Sequence, residues 1–208
     1  MAIDFTEAIV SNPEGVQGSY PLNLAIGHEG MLADLQAYVS RSFSNESGAV
    51  IPFGHLVSFD AAATTGLGVK VVAGATDLTV MGIAIDSFVF EGSTQSSYKA
   101  NATPPGVTLT DDGRLGYSDK QMVNVCSKGV VLVKVVDAVA IGDAVRYLHT
   151  DLGTAATDGG YAGRFLTGAV AGSSAEITAG ARWLSAAGAG ELALLEIDIP
   201  TIAITADA

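Results

Sequence analysis

Three histidines, one cysteine and a scatter of aspartates are the residues of this chain that could do chemistry, and their spacing argues against it. His28, His55 and His149 stand far apart, and none has a second histidine, a cysteine or an acid at the spacing of a zinc site. They read as solvent-facing or locally hydrogen-bonded imidazoles. Asp143, Asp151 and Asp158 lack the alternating oxygen ligands and terminal glutamate of a calcium loop; turn chemistry explains them better. Cys126 falls inside a predicted strand, with no basic or histidine neighbour in sequence to lower its pKa, so it reads as a small strand residue and not a nucleophile. Gly188-Ala189-Gly190 joins two predicted strands, whereas a dinucleotide loop needs a strand followed by a helix. There is no Gly-x-Ser-x-Gly elbow, and nothing singles out a carboxylate pair of the glycosidase type. Asn45-Glu46-Ser47 and Asn101-Ala102-Thr103 match the glycosylation pattern only by chance in a chain not expected to be secreted. The expectation is no enzyme, no cofactor and no metal.

The elements that would have to position any such group are strands. From Val123 to Tyr147 valines alternate with polar residues: Val123, Val125, Val131, Val133 and Val135 are expected on one face, and Asn124, Cys126, Lys128 and Lys134 on the other. Ser127-Lys128-Gly129 interrupts the run and predicts a bulge or tight bend. Gly142-Asp143 supplies a turn, after which Val145 and Tyr147 resume the inward face. Around this ribbon an internal repeat is visible. Ala49-Val50-Ile51-Pro52-Phe53-Gly54 is followed by Val57 and Phe59, and Ala138-Val139-Ala140-Ile141-Gly142 by Val145 and Tyr147 at the same offsets. Val80 to Ile85 beyond the first turn and Phe165 to Val170 beyond the second then read as matching strands. The pattern predicts an all-β fold, a small barrel or sandwich with two related halves.

Composition bounds the rest. A chain of 208 residues, 49% apolar and 15% charged, can bury a core of its own without disulfides or metals. No apolar run reaches the length of a membrane span, and the first residues lack the basic start and apolar block of a signal peptide. The expectation is a soluble chain made in the cytoplasm, with no membrane partner. Lys and Arg number 10 against 22 Asp and Glu, a net charge of -12 that repels phosphate backbones and predicts no direct nucleic-acid binding.

Along the chain, residues 1–30 form an irregular, apolar, wholly acidic arm, since Arg41 is the first basic residue. Ile3, Phe5, Ile9, Tyr20, Leu22 and Leu24 are its candidate partner-binding residues, to be laid on another surface that offers basic groups, the alternative being an arm wrapped on its own domain or disordered. Residues 31–200 are the β domain. Within it Tyr38 to Phe43 alternates as a strand, Ser44 to Gly48 reads as a polar loop, and residues 91–114, broken by Pro104-Pro105-Gly106, as an exposed insertion. The apolar run Leu192 to Leu195 predicts a strand covered on both faces, ended by Pro200. Residues 201–208 are a thin tail, expected to be ordered by a neighbour.

Gly30-Met31-Leu32-Ala33-Asp34, Val39-Ser40-Arg41 and Ile51-Pro52-Phe53-Gly54 with Val57 resemble the opening of structural cement or head decoration proteins of tailed bacteriophages. The similarity continues through Val139-Ala140-Ile141-Gly142-Asp143-Ala144-Val145 and Gly190-Glu191-Leu192-Ala193-Leu194-Leu195, spanning most of residues 27–197. It implies a small β-barrel or sandwich with extended arms, sitting on the outer face of the head and bridging major capsid subunits. Homotrimers at local three-fold axes are the preferred assembly and dimers the second. From other classes, a phage tail or receptor-contacting adhesion module would use the insertion around Ser93 to Pro105, and an enzyme on a β scaffold would need a cleft with paired acids.

Overall fold

A computed structural model of the chain describes residues 27–74, 79–86, 108–109, 115–153 and 160–207. The described residues form strands and turns, with no α-helix. In chain order the strands are β1 (Leu32–Asn45), β2 (Ile51–Pro52), β3 (Leu56–Phe59), β4 (Gly68–Val71), β5 (Val80–Ala84), β6 (Thr108–Leu109) and β7 (Leu115–Tyr117). They continue with β8 (Met122–Lys134), β9 (Val145–Leu148), β10 (Phe165–Leu166), β11 (Ser174–Ala179), β12 (Ala181–Trp183), β13 (Leu192–Asp198) and β14 (Ala203–Ala206).

Five of them, in the order β1-β4-β3-β5-β8, close into a barrel because β8 pairs back onto β1. The β1–β4 contact is parallel, Ser44 opposite Gly68, and the other barrel pairings are antiparallel. Phe43, Val57, Val69, Ala84, Val123 and Val125 form one buried cluster to which every barrel strand contributes, so it fills the barrel. Ile51, Phe53 and Tyr117, from β2, the turn after it and β7, cap it, with the Phe53 and Tyr117 rings edge to face at 5.1 Å.

A second and larger core lies outside the barrel wall. It is built on the outward side chains Leu56, Ile83 and Cys126, and roofed by β9, β11, β12 and β13 through Tyr147, Ile177, Trp183 and Leu195. β8 serves both cores. One of its edges is β1; the other is β5 at Val125 and Cys126, and then β13 from Lys128 to Lys134. Between these partners Ser127 is an extra residue, since Ser40 faces Cys126 while Val39 already faces Lys128. Gly129 follows at φ +146°, where a Cβ would stand 3.0 Å from that of Tyr38. One inserted residue turns every later side chain to the opposite face. Val123 and Val125 therefore point into the barrel, and Val131, Val133 and Val135 into the second core together with Cys126. The expected interruption is present, but the single valine face is corrected to two faces, and Cys126, expected opposite the valines, is fully buried with the later ones.

The repeated turn recurs in space. Gly54 and Gly142 both have positive φ, +75° and +94°. Each turn leads into a strand flanked by two antiparallel partners, β3 between β4 and β5, and β9 between β10 and β11. The counterpart of β5 is β11, however, and β10 takes the place of β4; Gly168, Ala169 and Val170 lie in the connection after β10 and not in a strand. Unequal loop lengths hid this in the sequence.

Other expectations shift in detail. The polar loop starts later, because Ser44 and Asn45 belong to β1. Thr108 and Leu109, inside the predicted insertion, pair with β7, and the other residues of 91–114 lie outside the described residues. β13 buries only alternate residues, Ala193, Leu195 and Ile197, because its outer face is only half covered. It ends before a 3-10 turn, Ile199–Thr201, that contains Pro200. The tail needs no neighbour: β14 pairs antiparallel with β11 of the same chain.

Gly82 shows how tightly the barrel wall is closed. It has φ +148°, and a Cβ there would lie 2.1 Å from the Cys126 carbonyl oxygen. Gly82→Ala is therefore expected to lower stability by about 2 kcal/mol or more, read as a reduced urea midpoint with an unchanged slope.

Candidate partner-binding surfaces and the root of the arm

Ile3, Phe5, Ile9, Tyr20, Leu22 and Leu24 all lie outside the described residues, so the site is built from the place where the arm joins the domain. That root is stitched by backbone. Gly30 N–H donates to the Leu132 carbonyl at 2.8 Å, Leu132 N–H to Met31 at 2.9 Å, and Asp86 N–H to Gly30 at 3.0 Å. Side chains add to it. His28 Nε2 lies 2.8 Å from Asp86 Oδ2, and Glu29 Oε2 lies 3.1 Å from Arg164 Nη2. Behind Glu29 stands His55, 1% exposed, with Nε2 3.8 Å from Glu29 Oε1 and Nδ1 2.8 Å from the Ala162 carbonyl oxygen. Sequence spacing suggested local or solvent-facing histidines; two of the three instead meet acids far away in the chain, which only the fold brings together.

The described surface carries few large apolar side chains. Tyr38 and Val39 are 42% and 41% exposed on β1, beside its irregular pairing with β8. Met122 is 60% exposed opposite Ser44, and Leu67 is 56% exposed where its carbonyl accepts from Ser44 N–H. Together they mark the β1 side of the barrel at both ends of a strip of exposed small side chains, Ser40 and Ser42. Arg41, between these serines in sequence, takes the opposite face of β1, the one that carries Phe43; it is exposed and makes no ion pair among the described residues. Ile141, at 71%, projects separately from the second turn.

The loop that carries Leu67 is fastened by one carboxylate. Glu46 accepts from the Thr64 N–H at 2.9 Å and hydroxyl at 2.7 Å, and from the Thr65 hydroxyl. These hydrogen bonds, the Thr65 and Thr64 hydroxyls first, hold its pKa down to about 2, well below the usual carboxylate range.

The residues that looked reactive are structural. Cys126 is fully buried, and burial pushes its thiol up to about 11, so it stays protonated near neutrality. Asp143 accepts from Ala140 N–H at 2.8 Å within its own turn, whereas Asp151 accepts from Ala162 N–H, eleven residues on, at 2.7 Å; Asp158 lies outside the described residues. Gly188 and Gly190 sit in the hairpin between β12 and β13. Asn45 of the first sequon is fully buried, its amide nitrogen 2.7 to 3.1 Å from the Ala49, Tyr117 and Ser118 carbonyls, so it is a lock between β1 and β7 and no acceptor for a glycan. Among the described residues no group of three or more His, Cys, Asp or Glu could hold a metal.

The described residues make up a double-cored β domain whose polar side chains are engaged in its own turns and strand pairs, with an arm root stitched to the domain and a small exposed strip. Its family is given by comparison. Residues 16–198 match the structural cement protein family (E217 gp24/Pam3 gp6), and the chain belongs to it. No curated protein matches the chain. The family is structural, so the chain is a capsid-stabilising protein of the phage virion, associated with capsid proteins. The match begins inside the arm, so Tyr20, Leu22 and Leu24 fall within it, as does the insertion, whereas Ile3, Phe5 and Ile9 precede it. It ends with β13 and leaves β14 outside.

One consequence concerns acid. Because the Glu46 pKa is depressed on folding, its contribution is present above the ordinary carboxylate value of 4.5 and is lost as pH falls towards about 2. The protection factor of the Thr64 amide, its exchange relative to an unstructured peptide at the same pH, is expected to fall across that window, and Glu46→Gln to show the same reduced protection already at neutral pH.

Proposed function

We propose that the protein binds the outer face of the phage head and bridges neighbouring major capsid subunits, with residues 1–26 supplying one contact and the β1 strip around Tyr38, Val39 and Met122 another. The observation that carries this reading is that the family match extends into the acidic, apolar arm at residue 16, so half of that arm belongs to what family members share. An arm of about 20 residues can bury on the order of 1,000 Å² on a partner, enough for a specific interface once its ordering cost is met. Its acids call for basic groups on the capsid side, and Arg41 for an acid. Homotrimers at local three-fold axes are the proposed assembly, dimers at two-folds the second, and many copies around one shell reinforce one another.

The test is co-sedimentation of the purified protein with expanded heads that lack it, counting bound copies per major capsid subunit. The intact chain is expected to saturate at a fixed symmetric ratio and to raise the heat resistance of the heads. A chain lacking residues 1–26 should keep its thermal midpoint yet bind about tenfold or more weakly. Replacing Tyr20, Leu22 and Leu24 by aspartate should cost more than the same change at Ile3, Phe5 and Ile9. Equal occupancy by the shortened chain would remove the arm from the interface, and failure of the intact chain to bind would remove the head surface altogether.

A further inference from the structure

We propose that Glu29, Arg164 and His55 form a latch that fixes where and in which direction the arm leaves the domain, so that Arg164, 135 residues away from Glu29 in the chain, is a positioning residue for the contacts of residues 1–26. The inference rests on the arm-binding reading above, but the latch itself can be read without any partner.

The cluster is built from three distant points of the sequence. Glu29 comes from the arm root, His55 from the first turn just before β3, and Arg164 from the residue before β10. His55 and Arg164 are buried, with side chains 1% and 3% exposed, and Glu29 is largely covered at 19%. The backbone is shaped to admit them. Gly54 has φ +75°, and a Cβ there would lie 2.4 Å from Glu29 Cγ; Gly163 has φ +83°, and a Cβ there would lie 3.0 Å from His55 Cβ. Arg164 is held from behind: its guanidinium lies 5.4 Å from the centre of the Tyr161 ring, and its carbonyl accepts from Leu148 N–H at 2.8 Å. His55 is held by its Nδ1 donating to Ala162.

A buried ion pair adds little stability over apolar packing of the same volume, but it is directional, and removing one partner strands a charge. Register is the use such a pair is best suited to. The arm root needs it, because Gly27 and Gly30 on either side of Glu29 have positive φ, and the backbone from Gly27 to Gly30 has no apolar side chain of its own to set its position. His28 contributes on the outside, but it is about half exposed and its pair with Asp86 is open to water.

The experiment is amide hydrogen exchange on the full-length free protein, followed by head co-sedimentation with the same variants. Glu29→Gln keeps the shape and removes the charge. Its expected result is exchange at Gly30 and Asp86 faster by about tenfold or more, while Val125 and Val133 in the cores stay unchanged. Arg164→Lys keeps the charge and should hold Gly30 exchange within about threefold of the parent. Head binding should then fall for Glu29→Gln and be largely retained for Arg164→Lys. Unchanged exchange at Gly30 in Glu29→Gln overturns the latch. So does a parallel rise at all amides, or outright unfolding, which would make the cluster a general core support. Faster Gly30 exchange with undiminished head binding separates the two ideas: the latch exists but does not position the interface, and the positioning role falls. If the parent chain fails to bind heads, the cement reading fails while the exchange result still decides the latch.

Discussion

The extra residue at Ser127 is what the architecture depends on. A strand can bury one face, and β8 has to serve two cores that lie on opposite sides of the barrel wall. Adding one residue to one side of a ladder rotates the strand through half a pleat, and the cost is local, an unpaired residue and a glycine backbone at Gly129. The effect is global: the same valine-rich segment fills the barrel with its first half and supports β13 and Trp183 with its second. The barrel and the second sheet are therefore not separable bodies joined by a linker. They share a wall, and Cys126 sits on the side of it facing away from the barrel interior.

Charge is used in a complementary way. The chain has 10 basic residues against 22 acidic ones, and several of the described cations stitch strands together. Lys128 pairs with Asp198 across β8 and β13, Arg182 with Glu196 across β12 and β13, and Arg146 with Glu176 and Asp207 across β9, β11 and the segment after β14. Acids outnumber the cations available to pair with them, so the surplus leaves the exterior acidic. Arg41 stands out against that background, an exposed cation on β1 with no ion pair among the described residues.

Much of the fold was legible because alternation with period two is a direct imprint of a half-buried strand. The β class, the bulge near Gly129, the two related turns at Gly54 and Gly142, and the structural nature of Cys126, Asp143 and the Gly188 hairpin could all be read from residue types. The register across the bulge could not, since a valine at an odd position looks the same whichever core receives it. The match between β5 and β11 was obscured by loops of different length, and the docking of β14 by its short, weakly apolar sequence. The arm root was the least readable part. Glu29, His55 and Arg164 are unremarkable singly, and no local spacing connects them; the one signal available was a histidine directly after a turn glycine, which is too common to point anywhere.

Closure of the barrel through the β1–β4 pairing also governs how copies of this chain can live side by side. A lattice that crowds identical β proteins at fixed spacing is a setting in which open strand edges would fuse into continuous sheet. Here the strands at the ends of the described sheets are β2, β6, β10, β12 and β14, none longer than four residues. Of the long strands, β8 (13 residues) has both edges occupied over much of its length by partners within the same chain, whereas β1 (14 residues) is paired along one edge by β8 and along the other by β4 only at Ser44 and Asn45. Among the described strands, then, every sheet end but the one along β1 offers at most four residues on which a neighbour's strand could extend the sheet.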